Sequence, residues 1–283
     1  MVGKSQHKWL IQMLLHGFFI VWIFLTLVPI LYALSVSFSS TNTLLSDTFH
    51  FFPREATFQN YRLLFTQQPL MLWFRNTVIL ALFTLMLSLG VAIPAAYAFS
   101  RRRFRGRYSL FRMLILLNAF PAILSMFALW RLMNVGPVTL VNTRLGLVLI
   151  YAGTMTIFGI LNLKGYFDTI PLEIEEASRI DGASELQVIW HVLLPLAKPA
   201  LVVTSVLILI FVWNEYIFAV TFMTGSQNYT LAAGLFSLQA GEISGSWPLF
   251  AAASIVTSLP ILIIFFIIQR HMLSGLTVGG VKG

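Results

Sequence analysis

Residues 76–100 read NTVILALFTLMLSLGVAIPAAYAFS and contain no charged side chain between Arg75 and Arg101. An α-helix needs about 20 consecutive apolar residues to cross a bilayer, and this run of 25 residues exceeds that length. Five more charge-poor intervals have the same character. Together they predict six membrane-spanning helices, at residues 10–36, 76–100, 111–132, 145–163, 199–223 and 249–269. A transmembrane β-barrel is excluded, because its strands run about 10 residues with alternating hydrophobicity.

The composition of the 283-residue chain also indicates a membrane protein. Hydrophobic residues make up 58%, charged residues only 10%, and the mean hydropathy is +0.85, whereas soluble domains average about 25% charged residues. So few charges cannot solvate a globule of this size, which excludes a soluble or disordered chain. The sequence therefore predicts an all-α integral membrane protein with a single transmembrane domain over residues 1–283.

The positive charges predict the orientation of the spans. With six spans both termini lie on one side, and that side carries 13 of the 18 Lys and Arg residues. Because cytoplasmic loops are enriched in Lys and Arg, we expect both termini in the cytoplasm. Lys4 and Lys8 before an apolar stretch resemble a signal peptide, but the stretch is too long for a typical signal core, and we expect it to remain as the first span. The basic residues 101–107 lie between two spans, so we interpret them as a membrane-interface cluster and expect no nucleic-acid partner.

Residues that usually carry catalysis or bind metals are scarce. There is no Cys, and the five His residues show no metal-ligand spacing. Gly3-Lys4-Ser5 is similar to the end of a phosphate-binding loop but lacks the upstream glycine and strand. We therefore predict no catalytic residue, no metal site and no cofactor in this chain, and we expect that it is not an enzyme.

One cytoplasmic segment, residues 164–198, differs from the other connections in length and charge. Six of the ten acidic residues lie between Asp168 and Glu185. Pro171, followed by acidic residues, favours the start of a helix, and Gly182 can end that helix.

A second short helix is predicted directly after this glycine. Ser184 with Gln187 three residues later forms a capping-box pattern. The helix should end at Leu194-Pro195, and an apolar stripe with helical spacing runs along it, at Leu186, Ile189, Trp190 and Leu193. Two short helices at the cytoplasmic surface indicate an element that docks a partner.

The same segment carries a recognisable motif. Glu176-Ala177-Ser178, three residues, Gly182, nine residues, Val192, one residue and Leu194-Pro195 follow one another. This spacing resembles the EAA loop of ABC-importer permeases, with Ser178 and Val192 as mild departures. Further stretches resemble the carbohydrate importers, and the maltose/maltodextrin-type permeases most closely: Ala96-Tyr97-Ala98-Phe99, Phe120-Pro121-Ala122, Lys164-Gly165-Tyr166-Phe167, Tyr229-Thr230-Leu231-Ala232, Trp247 and the terminal residues 275–283.

The resemblance implies a permease subunit of an ATP-driven importer in the inner membrane of a bacterial or archaeal cell. Its substrate would be maltose/maltodextrin or a related oligosaccharide. Its partners would be a second, MalF-like permease, a MalK-like ATPase homodimer that binds ATP and Mg²⁺, and an extracytoplasmic sugar-binding protein. Two alternatives stay open: a permease of another sugar importer, such as the trehalose or glycerol-phosphate type, and a secondary transporter, although the latter commonly shows mid-span ionisable groups and an internal repeat.

The resemblance also implies roles for individual residues. The ATPase-coupling residues would be Glu176, Ala177, Ser178, Asp181, Gly182, Ala183, Leu194 and Pro195. A tail that contacts the ATPase subunits would comprise Gly279, Gly280, Val281, Lys282 and Gly283.

Two further groups of residues are candidates for the sugar and its delivery. Amides and hydroxyls inside spans suit neutral sugars, although helix–helix hydrogen bonding explains them as well; the candidates are Asn118, Ser125 and Asn214. The outer connection at residues 225–247 is long and rich in glycine and amides, and in the family the corresponding loop meets the binding protein. We expect Tyr229, Gly234, Gln239 and Glu242 to face that partner.

Overall fold

A computed structural model describes residues 3–40, 51–135, 139–240 and 246–278 of the chain. Within these ranges the regular structure is helical, apart from one isolated β-bridge between Ser39 and Ala56. The helices are α1 Gly3–Ser37, α2 Gln59–Gln67, α3 Leu70–Arg101, α4 Arg107–Ala119, α5 Ala122–Met133, α6 Arg144–Phe167, α7 Leu172–Ile180, α8 Glu185–Leu196, α9 Lys198–Asn214, α10 Ile217–Phe222, α11 Leu231–Ala240 and α12 Trp247–Val278. The predicted all-α class is confirmed.

Four of these helices contain segments long and apolar enough to cross a membrane: Ile11–Ser37, Leu70–Arg101, Arg144–Phe167 and Trp247–Gln269. Two bent helix pairs pass the same test, α4 with α5 at 93° and α8 with α9 at 81°, which raises the number to six if each pair is one span. The described residues therefore contain four to six candidate spans.

Two predicted spans are interrupted rather than continuous. The predicted span at 111–132 divides between α4 and α5, where Phe120 is extended and Pro121 follows it. A residue before proline avoids the helical conformation because the proline ring clashes with its backbone. The predicted span at 199–223 divides between α9 and α10, where Glu215 is extended with ψ of 117°.

The chain groups into two compact units, and the larger comprises residues 69–236 with the described part of 260–283. In this unit α3 packs along α6 and against α9. Small residues allow a close approach of helices in membranes: a Cβ atom added at Gly159 of α6 would lie 3.0 Å from the Cβ atom of Ala92 in α3. Two buried clusters line this contact, one around Leu80, Tyr151 and Val212, the other around Ala96, Phe167 and Leu193.

The smaller unit comprises residues 1–68 and 237–259. Its described part is fixed by Asn60 of α2, whose buried amide donates hydrogen bonds of 2.9 Å to the carbonyl oxygens of both Ser37 and Ser39. Tyr61 adds a contact of 2.8 Å between its hydroxyl and Ser37 Oγ. The apolar side chains of residues 11–30 in α1 are largely exposed, as expected for a helix that lipid surrounds, because a bilayer takes the place of a buried core.

Candidate functional site

The two short helices α7 and α8, with the turn between them, form one element that we call the connector. Helix α7 begins directly after Pro171 and carries Glu173 and Glu175 in its first turn, where the helix dipole favours negative charge. It ends at Ile180, and Gly182 follows in the turn with a φ of +87°, in the left-handed region that only glycine adopts without cost. The predicted helix stop at Gly182 is confirmed.

The predicted capping box is also present. Ser184 Oγ accepts a hydrogen bond from the backbone N–H of Gln187, and Gln187 Oε1 accepts one of 2.8 Å from the N–H of Ser184. Each contact satisfies a backbone donor that the first turn of a helix leaves unpaired. The turn between α7 and α8 therefore has a fixed geometry that local sequence signals determine.

Helix α8 differs from the prediction in two respects. Its residues Val188–Leu193 form a π-helix, and the wider turn shifts the phase of the apolar positions. Leu193 is buried, as are Val188 and Leu194, but Leu186 is 69% exposed and Trp190 62% exposed. The predicted apolar stripe is thus split between a buried and an exposed face, and the helix continues past Pro195 to Leu196 before the bend into α9.

The exposed side of the connector combines acidic and apolar groups. Glu176 and Asp181 are exposed, and Ile180 is 86% exposed. Beside them lies an open cleft of about 420 Å³. Four of the predicted coupling residues line it, with three residues of α8: Ser178, Asp181, Gly182 and Ala183, then Gln187, His191 and Val192. The exposed side of the connector is therefore an open cleft bordered by acidic and apolar side chains.

The opposite side of the connector is anchored to the end of α3 by buried charges. Glu175 is fully buried, and its Oε1 atom lies 2.7 Å from Arg101 Nε, while its Oε2 atom lies 3.4 Å from Arg179 Nη2. A buried carboxylate costs several kcal/mol unless it is paired and hydrogen-bonded, and these two guanidinium groups supply that pairing. Sequence reasoning missed this contact, because Arg101 and Glu175 are 74 positions apart.

A second, more exposed set of contacts joins the same turn of α3 to α8. The Tyr97 hydroxyl donates a hydrogen bond of 2.6 Å to Glu185 Oε2, and Arg102 Nη2 lies 2.9 Å from Glu185 Oε1. The Tyr97 hydrogen bond, together with the charges of Arg102 and Arg179, lowers the pKa of the Glu185 carboxyl despite the opposing effect of burial. These contacts therefore favour the charged form of Glu185.

A third contact lies at the end of α6, just before the connector. Burial raises the pKa of Asp168, but hydrogen bonds of 2.6 Å from both Lys164 Nζ and Ser100 Oγ outweigh it, so that this pKa lies below its usual range. The carboxylate of Asp168 thus ties the ends of α3 and α6 together.

The other end of α3 holds residues 226–231. Trp73 Nε1 donates a hydrogen bond of 2.7 Å to the carbonyl oxygen of Ser226, and the Asn76 amide donates to those of Gln227 and Tyr229 at 2.9 and 3.0 Å. The backbone N–H of Leu231 donates a hydrogen bond of 2.8 Å to Thr77 Oγ1. All three side chains of α3 are buried, so this segment is attached firmly to the first turns of the helix.

Comparison with known proteins places these features in a family. Residues 88–277 match the family described as binding-protein-dependent transport system inner membrane component, which is about two thirds of the chain. The chain belongs to this family. It resembles a galactooligosaccharides transport system permease protein, GanQ, of Bacillus subtilis, with 33% identity over 90% of both chains. It is also 39% identical to a maltose/maltodextrin permease, MalG, of Photorhabdus laumondii, over 76% of this chain and 73% of that protein.

A solved structure supports the same assignment. A chain of a bacterial ABC transporter involved in the import of the acidic polysaccharide alginate superposes with a TM-score of 0.76 at 25% identity, covering 95% of this permease and 98% of that chain. The resemblance to ABC-importer permeases, inferred from the EAA-like motif, and the carbohydrate class, inferred from the further stretches, are confirmed.

Among the candidate sugar-path residues of the permease, Ser125 and Asn214 bind local carbonyl oxygens and Asn118 is exposed. Ser125 Oγ donates to the carbonyl oxygen of Ala122 at 2.6 Å, and the Asn214 amide donates to that of Ile210 at 2.8 Å. Both are local contacts within a turn or helix, and Asn118 is exposed at the end of α4.

The outer candidates have different surroundings. Gly234 is buried against the Trp73 indole, where an added Cβ atom would overlap the ring, and the carbonyl of Tyr229 binds Asn76 as described. Gln239 is exposed near the end of α11. Glu242 lies outside the described residues, as do the tail candidates Gly279, Gly280, Val281, Lys282 and Gly283.

Proposed function

We propose that this chain is a transmembrane permease subunit of an ATP-driven, binding-protein-dependent importer of neutral oligosaccharides, with maltose/maltodextrin as the favoured substrate class. The observation that carries the proposal is the connector, because it combines an exposed face of acidic and apolar side chains with buried anchors at the end of α3. The relatives named for maltose/maltodextrin and galactooligosaccharide transport support the substrate class. The candidate side chains inside the predicted spans, Asn118, Ser125 and Asn214, are uncharged amides and a hydroxyl. Such groups suit neutral sugars, which need hydrogen-bond donors and acceptors.

The energy for transport would come from a partner. The sequence shows no complete nucleotide-binding motif, and among the described residues no group of three or more His, Cys, Asp or Glu side chains could hold a metal ion. An ATPase homodimer of the MalK type would bind ATP and Mg²⁺ and dock on the connector. Ile180, Leu186 and Trp190 would supply apolar contact area, and Glu176 and Asp181 would pair with basic groups, because charge complementarity orients such interfaces.

The remaining partners follow from the same arrangement. The connector would lie in the cytoplasm with both termini, since that side carries most Lys and Arg residues. A second permease of the MalF type would complete the pathway and supply most sugar contacts. The sugar-binding protein would meet the opposite side near Tyr229 and Gln239, and the tail at residues 279–283 would contact the ATPase.

A secondary transporter is the weaker candidate. Glu215 is the only carboxylate within the predicted spans, and it is engaged as a helix cap: its oxygens accept hydrogen bonds from the N–H groups of Phe218 and Ala219. A carboxyl group in that role is poorly placed to bind and release a coupling proton.

Co-purification tests the proposal. The tagged permease is isolated from its host membrane in mild detergent, and its bound subunits are identified by mass spectrometry. We expect an ATPase and a second permease, and we expect the ATPase activity of the complex to rise with binding protein and maltodextrins in a screen of sugars. A permease that purifies without an ATPase, or an ATPase activity that no sugar stimulates, would contradict it.

A further inference from the structure

The Arg101 side chain joins three structural elements at one point. Its Nε atom donates to Glu175 of α7 at 2.7 Å, and its Nη2 atom donates to the carbonyl oxygens of Phe167 and Ile170 at 2.8 and 3.1 Å. Its Nη1 atom donates to the neighbouring Ser100 hydroxyl. The last residue of α3 thus binds the end of α6, the turn that follows it and the connector.

The Arg101–Glu175 contact orients the connector in addition to stabilising the fold. The Arg101 side chain is only 6% exposed and that of Glu175 is fully buried, and apolar residues of similar size commonly stabilise a protein as well as a buried ion pair does. A planar guanidinium group, however, fixes several acceptors at defined distances and directions. Such a fork sets the orientation of α7 relative to both helices.

The more exposed contacts of Arg179 and Tyr97 extend this network to the second connector helix, α8. Arg179 of α7 lies 3.4 Å from Glu175 and donates a hydrogen bond of 3.0 Å to the Tyr97 hydroxyl, which itself binds Glu185 of α8. Both halves of the connector are therefore tied to the last turn of α3 and to Arg102, which follows it, through a continuous series of hydrogen bonds with charged partners.

The same helix is attached firmly at its far end. Helix α3 has 32 residues, which at about 1.5 Å per residue gives a length of about 48 Å. Its first turns hold residues 226–231 through Trp73, Asn76 and Thr77. Helix α3 is continuous between these two attachments, with Pro94 inside it, and its packing along α6 supports it over this length.

We infer that Arg101 and Glu175 are positioning residues. They couple the connector to α3, and α3 transmits the movement of the connector to residues 226–231. The inference rests on the proposed function, because it assigns the mechanical path between the ATPase and the outer side. When a partner displaces the connector, the hydrogen bonds of the Arg101 guanidinium group displace the end of α3 with it. The Trp73 and Asn76 contacts then transmit that displacement to residues 226–231.

The test compares transport with ATP hydrolysis in reconstituted complexes. Arg101→Lys keeps the charge but loses the fork, and Glu175→Gln keeps the volume and one acceptor oxygen. The matched control is Arg103→Gln, since Arg103 is exposed and has no ion-pair partner among the described residues. Sugar uptake, ATP hydrolysis and complex assembly are measured on the same vesicles.

We expect both variants to assemble and hydrolyse ATP while the sugar transported per ATP falls about fivefold or more, and we expect the control to match the wild type. A purely structural role would lower assembly and thermal stability but leave that ratio unchanged in the assembled fraction, and this result would overturn the inference. If Arg101→Lys fails to assemble, Glu175→Gln decides alone. A wild-type complex without sugar uptake would instead contradict the proposed function.

Discussion

The hydroxyl of Tyr151 in α6 donates a hydrogen bond of 2.5 Å to Oε2 of Glu215, which lies at the break between α9 and α10. Tyr151 is fully buried, and Glu215 also accepts the backbone N–H groups of Phe218 and Ala219. One carboxyl group therefore replaces the helical hydrogen bonds that the break removes, and it ties the broken span to α6.

Loss of this contact should destabilise the permease. Tyr151→Phe removes one donor and should cost about 1 kcal/mol, whereas Glu215→Ala leaves a buried hydroxyl and two N–H groups without a partner and should cost about 3 kcal/mol. The measurement is the Tm of the purified complex in detergent. The control is Tyr216→Phe, because the half-exposed Tyr216 stacks on Phe236 without a hydrogen bond from its hydroxyl in the described structure. Equal effects of the two Tyr→Phe changes would contradict the assigned role.

Gly234 provides a second prediction. A methyl group at this position would overlap the Trp73 indole, so Gly234→Ala should displace α11 and lower the Tm by several degrees, as overpacking typically costs about 1–3 kcal/mol. Gly153→Ala in α6 is the control, because nothing lies within 4 Å of the added atom. If both variants melt at the wild-type temperature, this result would contradict the close contact between Gly234 and the Trp73 indole.

Gly182 tests the connector itself. Its φ of +87° costs an L-residue about 1–2 kcal/mol, and a changed turn would misplace α8 relative to α7. We expect Gly182→Leu to insert normally and to abolish transport, and Gly182→Asn, which tolerates this conformation, to retain part of it. Membrane quantity is measured by immunoblot and uptake with labelled sugar. Wild-type transport by the Leu variant would rule out a coupling role for the turn.

The contacts of Glu185 predict a pH dependence. Its folded pKa is lower than its unfolded value of about 4.3, so its contribution is present above the unfolded pKa and is lost as the pH falls through the folded pKa. The difference in Tm between wild type and Glu185→Gln should therefore be constant near pH 6 and shrink below about pH 4. Tyr97→Phe should move this loss to higher pH, because it removes the hydrogen bond that lowers the pKa most. A difference that does not vary with pH would refute the assignment.

Local sequence signals predicted much of the fold and part of the candidate site. The charge-poor run at residues 76–100 predicted α3, and Gly182 with the Ser184–Gln187 pair predicted the connector turn, because each depends on residues a few positions apart. Such signals are complete in a short stretch of sequence. The EAA-like motif, for the same reason, was sufficient to indicate the family.

The features that escaped prediction depend on distant or irregular contacts. The Arg101–Glu175 pair joins residues 74 positions apart, and no periodicity of the sequence indicates a contact over that separation. The π-helix at Val188–Leu193 alters the number of residues per turn, so that a stripe calculated for an α-helix is wrong for Trp190. The break at Glu215 falls within an apolar run, where a hydropathy pattern predicts continuity.

In the proposed function, ATP hydrolysis by a partner drives sugar import through this permease. The most direct measurement is uptake of labelled maltodextrin into proteoliposomes that contain the complete complex, with sugar-loaded binding protein outside and ATP inside. We predict accumulation that requires both ATP and binding protein, that vanadate abolishes and that a protonophore leaves unchanged. Uptake without ATP that collapses with the proton gradient would contradict the account.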